Sequence, residues 1–490
     1  MRWRRRISNM DASVCTLVPA GNSLDGMDST LACLAAWMPQ QRWYAAEGRT
    51  PVLRLVADLD LEGDERGGDA SEHGARVRTL IVADEASTPA VVYQIPVVER
   101  PAPAPRALEA HTIGTVAGGT VLIDGIHDPA YAGALLRLTT RGGVLRSHGV
   151  AATGMTALDE TAASAIALTA HASVLAGEQS NSSLVYADEG TPIICKVYRQ
   201  LQPGLNPDIE LETALAAAGS HRVPRPIGWI QASWVDDGAG VDASLAFAQE
   251  FLPGVEDAWR VALRAAAAGD DFAARARDLG TATAEVHVTL AHELPEQVAG
   301  TAEREAIYGA WSRRLDIAIA EVPELAPRRE AIEKIYAEGR DAAFPPLQRI
   351  HGDFHLGQVV LVPDRGWVLL DFEGEPMRPM TERMLPDLAL RDVAGMLRSF
   401  DYVAGSVALE RPDSAHEAAA WAAAAREGYL EGYAAASGLD RAACAPLLHA
   451  LELDKAVYEA IYEARNRPTW IDIPLRAVDR LSGVARPYMA

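Results

Sequence analysis

The densest chemistry in the sequence lies in His351-Gly-Asp353-Phe-His355-Leu-Gly-Gln358, followed by Trp367-Val-Leu-Leu-Asp371-Phe-Glu373-Gly-Glu375. Asp353 and Asp371 each stand at the edge of an apolar run. A polar turn between two short strands folds back and brings both acids to one spot. Phosphoryl transfer needs such a pair. One carboxylate accepts the proton of an attacking hydroxyl. The other holds Mg²⁺ against nucleotide phosphates, and a nearby amide, Gln358, completes the metal shell. Two solvated turn acids are the bland alternative, and the ordered set of Asp353, Gln358 and Asp371 between apolar runs argues against it.

These residues resemble a family. HGDxHxxQ with a downstream DFE is similar to the catalytic loop and metal motif of aminoglycoside-phosphotransferase-like kinases, relatives of the protein kinases. HGDFHLGQVV, WVLLDFEGEPMRPMTERMLPDLALRDVAGMLRSFDY and KAVYEAIYEARNRP more closely resemble actinobacterial maltokinases, as do QQRWYAAEGR and GEQSNSSLVY…KVYR…NPDIE. The likeness runs from Thr30 almost to the end and is patchiest through 52–160. It implies Asp353 as catalytic base, with Mg²⁺ held by Gln358 and Asp371 and Glu373 as a further or supporting ligand. Gln358 stands where the wider family usually has His or Asn, and its amide oxygen is still a hard donor.

On the nucleotide side, Lys196 sits in the strand-like PIICKVY and offers a compact ammonium to phosphate. Glu210 in the following NPDIE helix is the expected partner, mirroring the strand-lysine and helix-glutamate pair of kinases, with Glu212 as its competitor. Ser180 and Ser183, in GEQSNSS, would expose hydroxyls and backbone N–H groups to phosphate. A plain hairpin loop fits that stretch equally well. Gln249 and Phe251 precede Pro253-Gly254 and suit a hinge whose backbone reads the adenine edge.

On the acceptor side, Leu453, Val457 and Ile461 form an apolar stripe on a helix over Glu452–Arg467. Glu452, Lys455, Tyr458, Glu459 and Tyr462 stand on neighbouring faces, with Trp470 beyond, and this mixture suits a sugar. A surface helix with a Lys455–Glu459 pair is the competing account. His351 and Asp392 are further candidates, Asp392 also as a brace for the catalytic loop.

The elements that must position these groups read as α+β. A short helix starts near Thr30, and strands run over 52–61, 76–84 and 90–98. The Pro-rich ERPAPAPRAL (99–108) reads as a linker. Strands dominate to about 252, and Ala-rich helices follow. Asp208 suits a helix N-terminus. The expected architecture is a bilobal protein-kinase-like α/β fold with a cap. Its divisions are a disordered leader (1–28), a cap domain (29–108), a nucleotide-binding N-lobe (109–253) and a mostly helical C-lobe (254–490).

The chain has 490 residues, too many for one compact domain at ~100–200 residues each. Its net charge of −22 repels phosphate backbones and argues against nucleic acid as partner. No apolar run is long enough to span a membrane. Cys15, Cys33, Cys195 and Cys444 lack metal or disulfide spacing, which points to the cytoplasm. The resemblance implies a monomeric, ATP- and Mg²⁺-dependent sugar kinase making maltose 1-phosphate for α-glucan synthesis. A glucosamine kinase on the same scaffold is the alternative. A catalytically silent sugar- or nucleotide-binding regulator would have lost Lys196, Asp353 or Asp371, and all three are present.

Overall fold

The computed structural model describes the chain except for residues 1–23, 46–47, 62–74, 117, 148, 169–170, 176–180, 188–190, 376–377 and 484–490. Most of the expected leader, together with Cys15 and Ser180, therefore lies outside the described residues. The chain forms two compact units, residues 1–204 with 227–248, and residues 205–226 with 249–490.

The first unit contains two antiparallel sheets. One runs in the order Leu53–Asp60, Arg76–Asp84, Val91–Pro101, Thr120–Asp124, Thr112–Val116. Alternation explains its core. Leu80, Val82, Tyr93, Ile95 and Val97 pack against Leu34, Met38, Trp43 and Tyr44. On the opposite face Thr79 meets the Tyr131 hydroxyl, 3.1 Å away, from helix Pro129–Arg141. The Pro-rich stretch is not a linker. Its first residues, Glu99, Arg100 and Pro101, pair with Leu122, Val121 and Thr120, so the sheet continues beyond the expected boundary at 108 to Asp124. Proline there only ends donation to the ladder, while Val121 and Ile123 supply the apolar alternation that brings the chain back.

The second sheet has the order Gly143–Ser147, Val150–Thr156, Pro226–Asp236, Ala239–Glu250, Ile193–Tyr198, Asn181–Tyr186, Ala172–Val174. Helix Pro129–Arg141 rests directly on it. A Cβ at Gly228 would lie 2.0 Å from Thr139 O, so only glycine permits that approach.

The second unit is mainly helical. Its core includes Leu279, Trp311, Tyr336, Phe400, Tyr429, Leu453 and Val457. Leu453, Val457 and Ile461 are thus buried in that core, as an apolar stripe should be. Among the described residues, no helix is long and apolar enough to cross a membrane.

Candidate active site

The two motifs of the second unit meet through a hairpin. Val359–Val362 pairs antiparallel with Gly366–Leu369, Val359 opposite Leu369 and Val362 opposite Gly366. The turn uses Asp364 and Gly366 at φ of 60° and 80°. A further bond, Leu370 N to Gln358 O at 2.9 Å, carries the ladder one step past the strands. Gln358 and Asp371 consequently emerge at the same end, and the Gln358 amide donates to Asp371 Oδ2 at 3.0 Å.

Asp371 has φ +64°, the left-handed region. For a residue with a Cβ this costs ~1–2 kcal/mol, and it persists only where the surroundings over-determine it. The neighbouring Phe372 is fully buried, with its ring centroid 4.6 Å from that of His351. Its N–H donates to Asp208 Oδ1 at 2.7 Å.

Beneath the loop that carries Asp353 lies Asp392, on helix Ala389–Glu410 and 1% exposed. Its oxygens accept from His351 N at 2.8 Å and Gly352 N at 2.9 Å. His287 Nε2 lies 3.0 Å from Oδ2, and its Nδ1 lies 2.9 Å from the Tyr433 hydroxyl. A carboxylate only accepts, so Nε2 carries a proton. The His351 ring donates from Nε2 to Leu370 O at 2.9 Å, tying this loop to the Asp371 strand. His351 and Asp392 are therefore buried braces rather than sugar contacts. Asp353 itself is half-buried.

An Asp392→Ala change leaves two backbone N–H groups and an imidazole without their acceptor. At ~1–3 kcal/mol for each of the three orphaned groups, the expected loss is ~3–9 kcal/mol, seen as a lower unfolding temperature of the second unit, partly recovered in Asp392→Asn. An unchanged melting profile would show that the loop is held by other contacts.

Asp208, Asp371 and Glu373 each bring one carboxylate oxygen into a cluster no more than 4.8 Å across. Asp371 and Glu373 are hard oxygen donors of the kind Mg²⁺ prefers, with the Gln358 amide adjacent and Asp208 closing the cluster. Asp208 was not legible as a member. The NPD start suggested capping, yet the cap is Asn206, whose Oδ1 accepts from Asp208 N at 2.9 Å. The Asp208 side chain is released to face the hairpin, 0% exposed.

Glu210, expected opposite Lys196, is engaged by Arg349 Nη2 and Nε at 2.8 and 3.1 Å. Two residues on, the helix has turned by more than half a revolution, and Glu212 is fully buried. The Gln249 amide faces that Glu212 carboxylate, 3.2 Å away with its nitrogen turned inward. Gln249 and Phe251 stand where the second unit resumes. Lys196 belongs to the first unit, in register with Ser183 across the strands Ile193–Tyr198 and Asn181–Tyr186.

Helix Arg441–Asn466 sorts the acceptor candidates by face. Glu452, Glu459 and Glu463 share one stripe, at i, i+7 and i+11, and meet arginines. Glu452 accepts from Arg426 and Arg480, each at 3.0 Å. Glu459 accepts from Arg398 Nε at 2.8 Å, and Glu463 from Arg467 Nε at 3.0 Å. Burial raises the Glu459 pKa, with Arg398 opposing. Burial opposes ionisation of Glu452 too, but Arg426 outweighs it and the pKa falls. Glu452 and Glu459 are therefore committed to buried ion pairs and not to a sugar. Trp470 is likewise occupied, its centroid 6.3 Å from Tyr402 with Arg467 4.7 Å over its ring. Tyr462 is 43% exposed and also lies beneath Arg467.

Lys455 and Tyr458, on the other stripe, do reach the Asp353 region. The Lys455 ammonium is 4.9 Å from the Tyr458 ring centroid. The Tyr458 hydroxyl bonds Glu375 and feels the charge of Asp353, and burial together with these acids raises its pKa. Burial pushes Glu375 toward the neutral acid, but Lys455, Arg378, Tyr458 and Arg314 prevail and hold its pKa below the ordinary value. Burial lowers the pKa of His355, against the nearby Asp353 charge. In the sequence, Glu375 and Arg383 stand out only as members of an acid- and arginine-rich segment, 375–398, that could line a sugar pocket, not as individual site residues. Burial lowers the Arg383 pKa, while Glu373, Glu375, Asp353 and Asp371 surround it and act in the opposite direction. Nothing in the local spacing distinguishes Arg383 from its neighbours Arg378 and Arg391.

A strained metal-motif aspartate, a braced HGD loop and a carboxylate cluster beside it define a kinase-like phosphotransferase. Residues 171–447 match the phosphotransferase enzyme family, and residues 37–128 match the maltokinase N-terminal cap domain. The chain belongs to the phosphotransferase enzyme family and carries a maltokinase-type cap. A glucosamine kinase of Streptacidiphilus jiangxiensis is 33% identical over 290 residues, 56% of this chain and 64% of that relative's length. One from Mycolicibacterium smegmatis is 30% identical over 322 residues, 62% of this chain and 78% of the relative. A solved glucosamine kinase in complex with glucosamine, ADP and inorganic phosphate has a TM-score of 0.65 at 25% identity, covering 94% of this chain and all of that one.

Proposed function

We propose that the chain is an ATP-dependent kinase that phosphorylates a hydroxyl of a free sugar, with glucosamine as its acceptor. The chemical part is supported by the meeting of Gln358, Asp371 and Glu373 at one hairpin end, with Asp353 and Asp371 both acting on the charge of Arg383. Asp353 would take the acceptor hydroxyl's proton as its oxygen bonds the γ-phosphorus and the bond to the leaving ADP breaks. Asp371, Glu373 and Gln358 would hold Mg²⁺, which neutralises charge on the nucleotide phosphates when bound. From the sequence motifs, Lys196, Ser180 and Ser183 are the residues proposed for nucleotide phosphate, and Gln249 and Phe251 for the adenine edge. Lys455, Tyr458 and Glu375 are assigned to the sugar. A carboxylate held ionised there suits an ammonium-bearing acceptor, since a hydrogen bond to a charged group contributes ~1.5–3 kcal/mol.

The acceptor is supported by the relatives of both comparisons, which are glucosamine kinases. Maltose is the second reading, favoured by the match of residues 37–128 to the maltokinase cap. The test is ATP consumption over glucosamine, maltose, glucose and an aminoglycoside. Glucosamine is expected to give a kcat/KM at least ~10-fold above maltose, and Glu375→Gln to erode that preference by ~10-fold or more. Faster turnover of maltose, insensitive to Glu375, would assign the chain as a maltokinase. No ATP consumption with any acceptor would remove the kinase reading.

A further inference from the structure

The left-handed backbone of Asp371 needs something to hold it. Its own Oδ2 is engaged by Gln358, and its carboxylate faces the acid cluster. The holding group comes from a distant stretch of sequence. Asp208, in the first turn of helix Pro207–Ala217, accepts the Phe372 N–H at 2.7 Å and is fully buried. That N–H belongs to the peptide immediately after Asp371, so the bond fixes the plane that sets the Asp371 ψ. Two residues on, Glu210 accepts from two nitrogens of Arg349. Arg349 lies two residues before His351, and its Nη1 also donates to Arg383 O at 2.6 Å. One turn of helix thereby contacts the metal motif through one acid and the segment leading into the HGD loop through another.

We propose that Asp208 is a positioning residue for metal–nucleotide binding: through the Phe372 N–H it holds Asp371 in its left-handed, ligand-presenting conformation. The proposal rests on the kinase reading for the role of Asp371, but its geometry stands apart from the identity of the sugar. It also separates two functions that an acid in this place can serve. A ligand or counter-charge needs the negative carboxylate, whereas a latch needs only an acceptor oxygen at that point. Asparagine keeps the acceptor and removes the charge, and alanine removes both.

The experiment compares the unmodified chain with Asp208→Asn and Asp208→Ala, measuring Mn²⁺ affinity in the presence of ADP by electron paramagnetic resonance. Hydrogen exchange of a peptide spanning Leu370–Glu375 is followed in parallel. Asp208→Ala is expected to weaken Mn²⁺–ADP binding by ~10-fold or more and to accelerate exchange at the Phe372 amide. Asp208→Asn is expected to stay within ~3-fold in affinity, with the amide still protected. Where a sugar is turned over, its KM should move less than ~3-fold in both variants. An asparagine variant as impaired as the alanine one would overturn the proposal and make Asp208 a direct ligand or counter-charge. So would an alanine variant with unaltered affinity and exchange. If the alanine variant does not fold, the asparagine result decides the proposal by itself. Absence of kinase activity in the unmodified chain would count against the functional reading, and the Mn²⁺ and exchange results would still test the latch.

Discussion

An Asp353→Asn protein is expected to fold as the unmodified chain does and to lose ~10²–10⁴ in kcat, the usual contribution of general-base catalysis. The change preserves size and most hydrogen bonding, and the loop around it is held by other groups. His351 and Gly352 donate their N–H groups to Asp392, and His351 is tied to Leu370. The asparagine cannot take the acceptor's proton. The loss should fall on kcat, with the apparent affinity for nucleotide within a few-fold. Single-turnover measurement separates the chemical step from product release. Near-normal turnover would take Asp353 out of the base role, and the half-buried carboxylate would then be explained by its charge alone.

The second large effect is expected at the metal motif. Asp371→Ala removes the carboxylate that Gln358 contacts and leaves a Cβ-bearing residue at φ +64° with no ligand to present. A bound divalent cation contributes several kcal/mol of charge stabilisation, and each 1.36 kcal/mol is tenfold in rate, so turnover should fall by ~10³ or more. Sugar affinity measured by calorimetry should be little changed, because a metal held there would act on the nucleotide phosphates rather than on the sugar. Sugar binding lost with metal–nucleotide binding intact would instead place Asp371 in the acceptor pocket. Asp371→Asn, which tolerates the left-handed backbone better than alanine, distinguishes loss of the ligand from relaxation of the strain.

The two changes probe different halves of one device. Asp353 is carried by a loop that the helix Ala389–Glu410 supports from below. Asp371 is carried by a hairpin end whose strain is opposed by Asp208. A perturbation of either support acts on its own acid first, so Asp392→Ala should resemble Asp353→Asn kinetically once stability is accounted for, and Asp208→Ala, but not Asp208→Asn, should share the direction of the Asp371 changes.

The parts of this protein that the sequence by itself determined are those written in contiguous residues. HGDFHLGQ and WVLLDFE lie within one hairpin's length of each other, so a short apolar ladder was enough to predict that Gln358 and Asp371 share an end, as their 3.0 Å contact shows. The membership of the phosphotransferase family follows from the same motifs, because they are local and specific. What the tertiary structure alone decided concerns which face of an element meets which neighbour. Glu452 and Glu459 read as acceptor residues in sequence, and only the packing of helix Arg441–Asn466 shows that their stripe meets Arg426, Arg480 and Arg398 while Lys455 and Tyr458 turn to the site. Glu210 read as the partner of Lys196 until Arg349 was seen to hold it. The Pro-rich 99–108 stretch read as a linker because composition reports stiffness, not the register that returns Val121 and Ile123 to the sheet. Asp208 read as a cap because its backbone position is local, while its partner, the Phe372 amide, is 164 residues away in the chain. Side-chain types and periodicity reveal what an element can offer; long-range packing selects which of those offers is taken up, since burial commits a charged group to whichever opposite charge or backbone donor arrives beside it.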